Sequence, residues 1–83
     1  MEHTFLLTVN NHPATFLRVM GVYSRRGLLI DSMTINRGAA PDVSDVSITV
    51  QCDSRMAENL IKQLEKQMDV IQVRNGSDKS LAS

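Results

Sequence analysis

The spacing of apolar residues changes several times along this chain, and the order of those changes limits the folds that it can adopt. Over residues 4–9 the apolar side chains fall at every second position, which indicates a strand with one buried face. Residues 10–13 break that alternation. From Pro13 the spacing becomes three and four, as on one face of a helix, at Phe16, Val19, Met20 and Tyr23. Pro13 suits a first helical turn, because the N–H that it lacks would be unpaired there.

The remainder of the chain contains a hairpin and a second helix. Residues 29–37 and 46–52 are predicted strands, separated by the Gly- and Pro-containing segment 36–42. Asp53 or Ser54 is expected to cap the second helix. The apolar stripe of that helix is predicted to be Ala57, Leu60, Ile61, Leu64 and Met68. Residues 70–74 form a last short strand.

The order β-α-β-β-α-β predicts the fold class α+β with a ferredoxin-like arrangement. Its four-stranded antiparallel sheet should have the order 4-1-3-2, with two helices on one face. The second strand then lies at an edge with unpaired backbone groups, so we expect this chain to pair with another copy or another protein. Residues 1–74 form this domain, and the polar segment 75–83 is predicted to be a mobile tail.

Composition excludes several function classes. Eighty-three residues that are 42% hydrophobic can form one small core. Nine basic and nine acidic residues give a formal net charge of zero, so no long-range attraction to nucleic acid or to a membrane surface is expected. No apolar run reaches the roughly 18 residues that span a bilayer, and the N-terminus does not resemble a signal peptide. We therefore expect a cytoplasmic protein, with the single cysteine, Cys52, as a small core residue.

The chemistry-bearing residues do not form a catalytic or metal-binding pattern. His3 and His12 have no partner at ligand spacing, and His3 is expected at the surface. Asp42 and Asp45 flank a loop, and the glycines are too scattered for a phosphate-binding loop. We predict no catalytic residues, no metal and no enzymatic activity. RNA binding is also disfavoured, because the third strand, "DVSITVQC", has no aromatic ring on which a base could stack.

The turn "NNHPATF" before the first helix is the candidate binding site. Unpaired N–H groups in a first helical turn, with the positive end of the helix dipole, favour an anionic group such as a carboxylate. Asn11 either caps that turn or contacts a ligand, and the two roles are compatible. His12 is either structural or lines the same site. A cleft between subunits would form where this turn meets the edge strand of a second copy.

Two longer segments carry a family resemblance. "VNNHPATFLRVMGVYSRRGLLIDSMTI" resembles, without a gap, the opening of the ACT domain in small regulatory subunits of acetohydroxyacid synthase (acetolactate synthase). The matching positions are Val9, Asn11, Pro13, Arg18, Val19, Gly21, Arg25, Arg26, Gly27, Ile30 and Ser32. Further along, "IKQLEKQMDVIQV" resembles the end of that domain at Gln63, Leu64, Lys66, Asp69, Val70 and Val73.

The resemblance implies a non-catalytic subunit that binds and activates the large, thiamine-diphosphate-dependent catalytic subunit in branched-chain amino acid biosynthesis. No cofactor is then expected in this chain, because thiamine diphosphate, Mg²⁺ and FAD belong to the catalytic partner. The resemblance also implies homodimers joined at the second strand, with a branched-chain amino acid, usually valine, bound between the subunits. The effector residues would be Asn11, His12, Pro13, Ala14 and Thr15 of one copy, facing Leu29 and Ile30 of the other.

The sequence departs from the family pattern at two of those positions. Ala14 replaces a Gly that lets the ligand approach the backbone, and Leu29 replaces an Asn that could hold its charged groups. We therefore predict weak or absent valine feedback. The alternative is a free-standing ACT module that binds another amino acid and regulates a different partner.

Overall fold

Six elements follow one another in the predicted order in the computed structural model, which describes residues 1–76. They are β1 (Glu2–Asn10), α1 (Pro13–Ser24), β2 (Ile30–Arg37), β3 (Val43–Gln51), α2 (Ser54–Glu65) and β4 (Val70–Asn75). The sheet is antiparallel with the order β2-β3-β1-β4, which is the predicted order counted from the other edge. The ferredoxin-like fold is therefore confirmed. The predicted tail lies, from residue 77 onward, outside the described residues. In the described part of the chain no helix is long and apolar enough to cross a bilayer.

The core lies between the helices and one face of the two central strands. Alternate residues of β1 and β3 are buried there, and each helix adds three apolar residues. These core residues are Phe5, Leu7, Val9, Val46, Ile48 and Val50 from the strands, with Val19, Val22, Tyr23, Ala57, Leu60 and Leu64 from the helices. The rings of Phe5 and Tyr23 meet edge to face at 5.9 Å between centroids, a favoured aromatic geometry. Cys52 is half-buried against this core, as predicted, and burial raises the pKa of its thiol.

The buried face of α1 differs from the predicted stripe. Val19 and Tyr23 are buried as expected and Phe16 is partly buried, but Met20 is 44% exposed. Thr15 and Val22 are buried instead. The prediction was wrong about Met20 because α1 carries apolar residues on more than one side. The spacing of apolar residues is therefore compatible with two different buried faces of the helix.

The second helix follows its predicted stripe except at one end. Ala57, Leu60 and Leu64 are buried, and Ile61 is partly buried. Met68, the last predicted member, is 94% exposed because α2 ends at Glu65 and the chain has already turned towards β4. Asp53 is the N-cap, and its carboxylate oxygen accepts a hydrogen bond from the Met56 N–H at 2.8 Å.

His3 corrects the expectation of a surface residue at a frayed end. The strand β1 begins at Glu2, so His3 pairs with Val50 and shares the buried face with Phe5. It is only 7% exposed, and neither ring nitrogen has a hydrogen-bond partner within residues 1–76. The prediction for His3 was wrong because the strand begins at Glu2, two residues before the apolar alternation from which it was predicted.

Candidate functional site

The turn between β1 and α1 lies against the hairpin that joins β2 to β3. The Asn11 N–H donates to the Asp42 carbonyl oxygen at 2.7 Å, which ties the turn to the hairpin loop. The two segments enclose a hollow of about 500 Å³. Its lining includes Asn11 and residues 35–41. The candidate turn therefore sits beside the end of the edge strand β2.

His12 is the N-cap of α1, in place of the Asn11 cap that was one of two predicted alternatives. Its backbone is extended, with φ −130° and ψ 135°, and its Nδ1 accepts a hydrogen bond from the Ala14 N–H at 3.2 Å. The residue immediately before the first helical position takes this role, and Pro13 occupies the first position. Asn11 is one residue too early, which leaves ligand contact as its predicted role.

The turn does not offer the unpaired N–H groups that the sequence predicted. Besides the bond from Asn11, His12 donates to the Asn10 carbonyl at 2.8 Å and Thr15 donates to the His12 carbonyl at 2.9 Å. Pro13 has no N–H, and the Ala14 N–H is taken by His12. Only the Ala14 bond uses a side chain as acceptor. It is therefore the one N–H that rotation of the exposed His12 ring could release without breaking a main-chain hydrogen bond.

Thr15 faces the protein interior. It is 1% exposed, and its hydroxyl oxygen is buried without a hydrogen-bond partner in the described residues. Leaving a buried hydroxyl unpaired destabilises the folded state by about 1–3 kcal/mol. The Thr15 hydroxyl therefore has hydrogen-bonding capacity that the described residues do not use. Within one chain, the surface of the candidate turn therefore consists of Asn11, His12 and Pro13 with the half-buried Ala14.

The other predicted half of the site lies at the opposite end of β2. Leu29 and Ile30 line a separate hollow of about 580 Å³ with Met20 and Tyr23 of α1. Leu29 is 85% exposed. One chain therefore does not bring Leu29 and Ile30 to the turn. Antiparallel pairing of two β2 strands would do so, because it places the start of one strand beside the end of the other.

A group of exposed apolar side chains that the sequence reading missed accompanies the β2 edge. Met20, Leu29 and Ile35 are all large and substantially exposed. Met20 and Ile35 have the spacing of core residues, so only the structure separates them from the core. We call Met20, Leu29 and Ile35 the β2 flank.

The ionisable groups of residues 1–76 form one ion pair and do not gather into a cluster. No group of three or more His, Cys, Asp or Glu side chains could hold a metal ion in this part of the chain. The Arg18 guanidinium pairs with the Asp69 carboxylate and so joins α1 to the turn before β4. Both residues belong to the matched family positions. The pKa of Tyr23 is raised, mainly by burial of its hydroxyl and further by the neighbouring Cys52.

Comparison with known proteins gives a consistent family. Residues 5–72 match the family model described as "AHAS small subunit-like ACT domain". The probable acetolactate synthase small subunit of Archaeoglobus fulgidus is 36% identical over 81 residues, which are 98% of this chain and 51% of the relative. The acetolactate synthase small subunit of Mycobacterium bovis is 31% identical over 81 residues, with 98% and 48% covered. The chain thus spans about half the length of the curated relatives it matches.

Solved structures agree with the sequence relatives. The crystal structure of the acetolactate synthase small subunit from Thermotoga maritima superposes with a TM-score of 0.82 at 31% identity, covering 90% of this chain and 47% of that one. The ACT domain of the Chlorobium tepidum GTP pyrophosphokinase superposes with a TM-score of 0.75 at 14% identity, covering 90% and 96%, and shows a shared fold alone. With the family model matched over most of its length, this chain belongs to the ACT-domain family of acetohydroxyacid synthase small subunits.

Proposed function

We propose that this chain is a non-catalytic regulatory subunit that binds and activates the thiamine-diphosphate-dependent catalytic subunit of acetohydroxyacid synthase. The observation that carries the proposal is the family match over residues 5–72, with relatives named as acetolactate synthase small subunits. The side-chain inventory supports it, because no group of potential metal ligands or perturbed acids and bases converges on a pocket in residues 1–76.

We propose further that the chain forms a homodimer through β2. Among residues 1–76 this strand is at the sheet edge, where no described strand pairs with its outer backbone groups. The β2 flank places Met20, Leu29 and Ile35 beside that edge, so strand pairing would also bury apolar surface. An antiparallel β2–β2 contact is symmetric, as a two-fold dimer requires.

The same dimer would assemble the effector site from Asn11, His12, Pro13, Ala14 and Thr15 of one copy and Leu29 and Ile30 of the other. Three features argue for weak or absent valine feedback. The Ala14 methyl group occupies space that a Gly would leave open to a ligand at the turn. Leu29 has no polar group that could bind the charged groups of an amino acid. Each backbone N–H of the turn already has a hydrogen-bond acceptor. A carboxylate would have to displace His12 from the Ala14 N–H.

Reconstitution tests the function. The purified catalytic subunit, supplied with thiamine diphosphate, Mg²⁺ and FAD, is assayed for condensation of 2-oxo acids with and without this chain. We expect the rate of condensation to rise as the chain is added and to level off once the catalytic subunit is saturated with it. No change in rate and no co-elution with the catalytic subunit would contradict the proposal and favour an ACT module with a different partner.

A further inference from the structure

The sheet face opposite the helices contains a third hollow, which is separate from the turn. Most of the side chains on this face are Ser, Thr, Asn and Gln, as on the solvated face of many antiparallel sheets. At its centre a hollow of about 180 Å³ reaches across all four strands. The side chains at this hollow are Leu6, Thr8, Asn36, Asp45, Ser47 and Arg74.

The strand register sets the positions of the charged residues around this hollow. Leu6 pairs with Ser47 on one side and with Arg74 on the other. Thr8 pairs with Asp45, and its hydroxyl donates to a carboxylate oxygen of Asp45 at 3.3 Å. Leu6 is therefore an apolar floor with a guanidinium on the β4 side and an oriented carboxylate on the β3 side.

The two opposite charges are not paired with each other. The only ion pair within residues 1–76 joins Arg18 to Asp69. The Arg74 side chain makes no hydrogen bond or ion pair to another described residue, and Asp45 receives its side-chain bond from Thr8. Both groups are exposed. Within residues 1–76 the hollow thus separates an unpaired guanidinium from a carboxylate that retains acceptor capacity.

We propose that this hollow binds a small zwitterion with an aliphatic side chain, that is, a free α-amino acid. Its carboxylate would meet Arg74, its ammonium group would meet Asp45, and its aliphatic part would lie on Leu6. A guanidinium is suited to bidentate carboxylate binding, and a carboxylate accepts hydrogen bonds from an ammonium group. The site goes beyond the proposed function, since it needs neither the dimer nor the catalytic subunit.

Other ligand classes fit the hollow less well. A simple anion such as phosphate would be repelled by Asp45, and a cation or metal ion by Arg74. A purely apolar molecule would cover both charges without pairing them, which is unfavourable. Pockets for drug-sized ligands measure about 300–1,000 Å³, so a hollow of about 180 Å³ suits a ligand that is smaller than a drug, such as a single amino acid.

Titration of the full ¹⁵N-labelled chain with L-valine or L-leucine, followed by NMR amide shifts, tests the site. We expect shifts at Leu6, Thr8 and Arg74, with no saturable shift for 3-methylbutanoate, which lacks the ammonium group, or isobutylamine, which lacks the carboxylate. Arg74→Gln and Asp45→Asn should each weaken binding by about fivefold, as expected for an exposed charge contact. Arg55→Gln, which removes an exposed arginine of α2, is the matched control and should leave the affinity unchanged.

The outcomes separate this site from the turn and from the proposed function. Shifts confined to His12, Ala14 and Thr15 would place the amino acid at the turn and overturn the proposal. An unchanged affinity in Arg74→Gln, or equal binding of the two fragments, would also overturn it. The isolated chain is used, so failed activation of the catalytic subunit would not alter either result.

Discussion

The two helices have the same length, 12 residues each, but they present different surfaces to their surroundings. Every exposed residue of α2 is polar or charged. By contrast, α1 leaves Leu17 72% exposed and Met20 44% exposed, with Met20 next to the β2 edge. Helix α2 is thus suited to water on its outer face, whereas α1 and β2 together carry apolar surface that a further contact would bury.

The helix starts differ in the same sense. Asp53 caps α2 with a carboxylate at 2.8 Å, while His12 caps α1 with an imidazole nitrogen at 3.2 Å. A charged acceptor holds a backbone N–H more firmly than a neutral one. The start of α1 is therefore the easier of the two to open. The exposed apolar surface and the helix start that opens more easily therefore lie on the same side of the molecule, that of α1 and β2.

The largest expected effect is on dimerisation. Leu29→Asp should raise the dimer dissociation constant by at least about 100-fold, because a twofold interface loses two buried leucines and gains two charges. Sedimentation equilibrium measures this change. Met68→Asp, at a residue even more exposed but on the β4 side, is the matched control and should leave the dimer intact. If both variants weakened the dimer equally, the β2 side would not be the dimer interface and the proposed difference from the β4 side would be wrong.

A smaller effect is expected on valine binding. The NMR amide shifts of His12 and Thr15 during titration with L-valine report binding at the turn separately from the sheet-face hollow. They should show weak or no binding in the unchanged chain, and Ala14→Gly combined with Leu29→Asn should tighten binding at the turn by about tenfold or more. Arg55→Gly, at the second position of α2 as Ala14 is of α1, controls for a general loosening of a helix start. Tight valine binding at the turn of the unchanged chain would show that Ala14 and Leu29 do not weaken the effector site.

The smallest effect concerns the caps themselves. Asp53→Ala and His12→Ala should each lower the free energy of unfolding by about 0.5–2 kcal/mol, with the larger loss at Asp53 because its acceptor is charged. Urea denaturation at one fixed protein concentration measures both. His12→Asp should restore or exceed the original stability. A larger loss at His12 than at Asp53 would contradict the proposed difference between the helix starts.

Most of the fold could be predicted from periodicity. In residues 46–50 of β3 and in α2 the apolar residues fall on one side of the element only, so the residue pattern predicts a single buried face. In α1 the apolar residues Leu17 and Met20 lie outside the buried stripe, and spacing cannot tell a core contact from a contact with another molecule. His3 was misplaced because a strand end is set by pairing with β3, which no local pattern reports.

The candidate site was less accessible to sequence reasoning. The turn was located correctly, but its hydrogen bonds depend on the hairpin loop, which contacts it from more than 25 residues away along the chain. The sequence also provided no sign that His12 takes the cap, since histidine is outside the usual set of capping residues. Leu29 and Ile30 reach the turn only if a second chain supplies them, and a single sequence does not contain that geometry.

The main-chain hydrogen bond from Asn11 to Asp42 also limits the insertions and deletions that the loop between β2 and β3 can accept. Hairpin loops usually tolerate inserted residues, because lengthening an open loop costs little entropy. Here the loop is held at one end by the turn before α1. At the other end Gly38 lies so near Val43 that an added Cβ would be 2.7 Å from the valine side chain. An insertion between residues 38 and 42 would therefore displace the start of α1, so the length of a surface loop becomes a determinant of the site's shape.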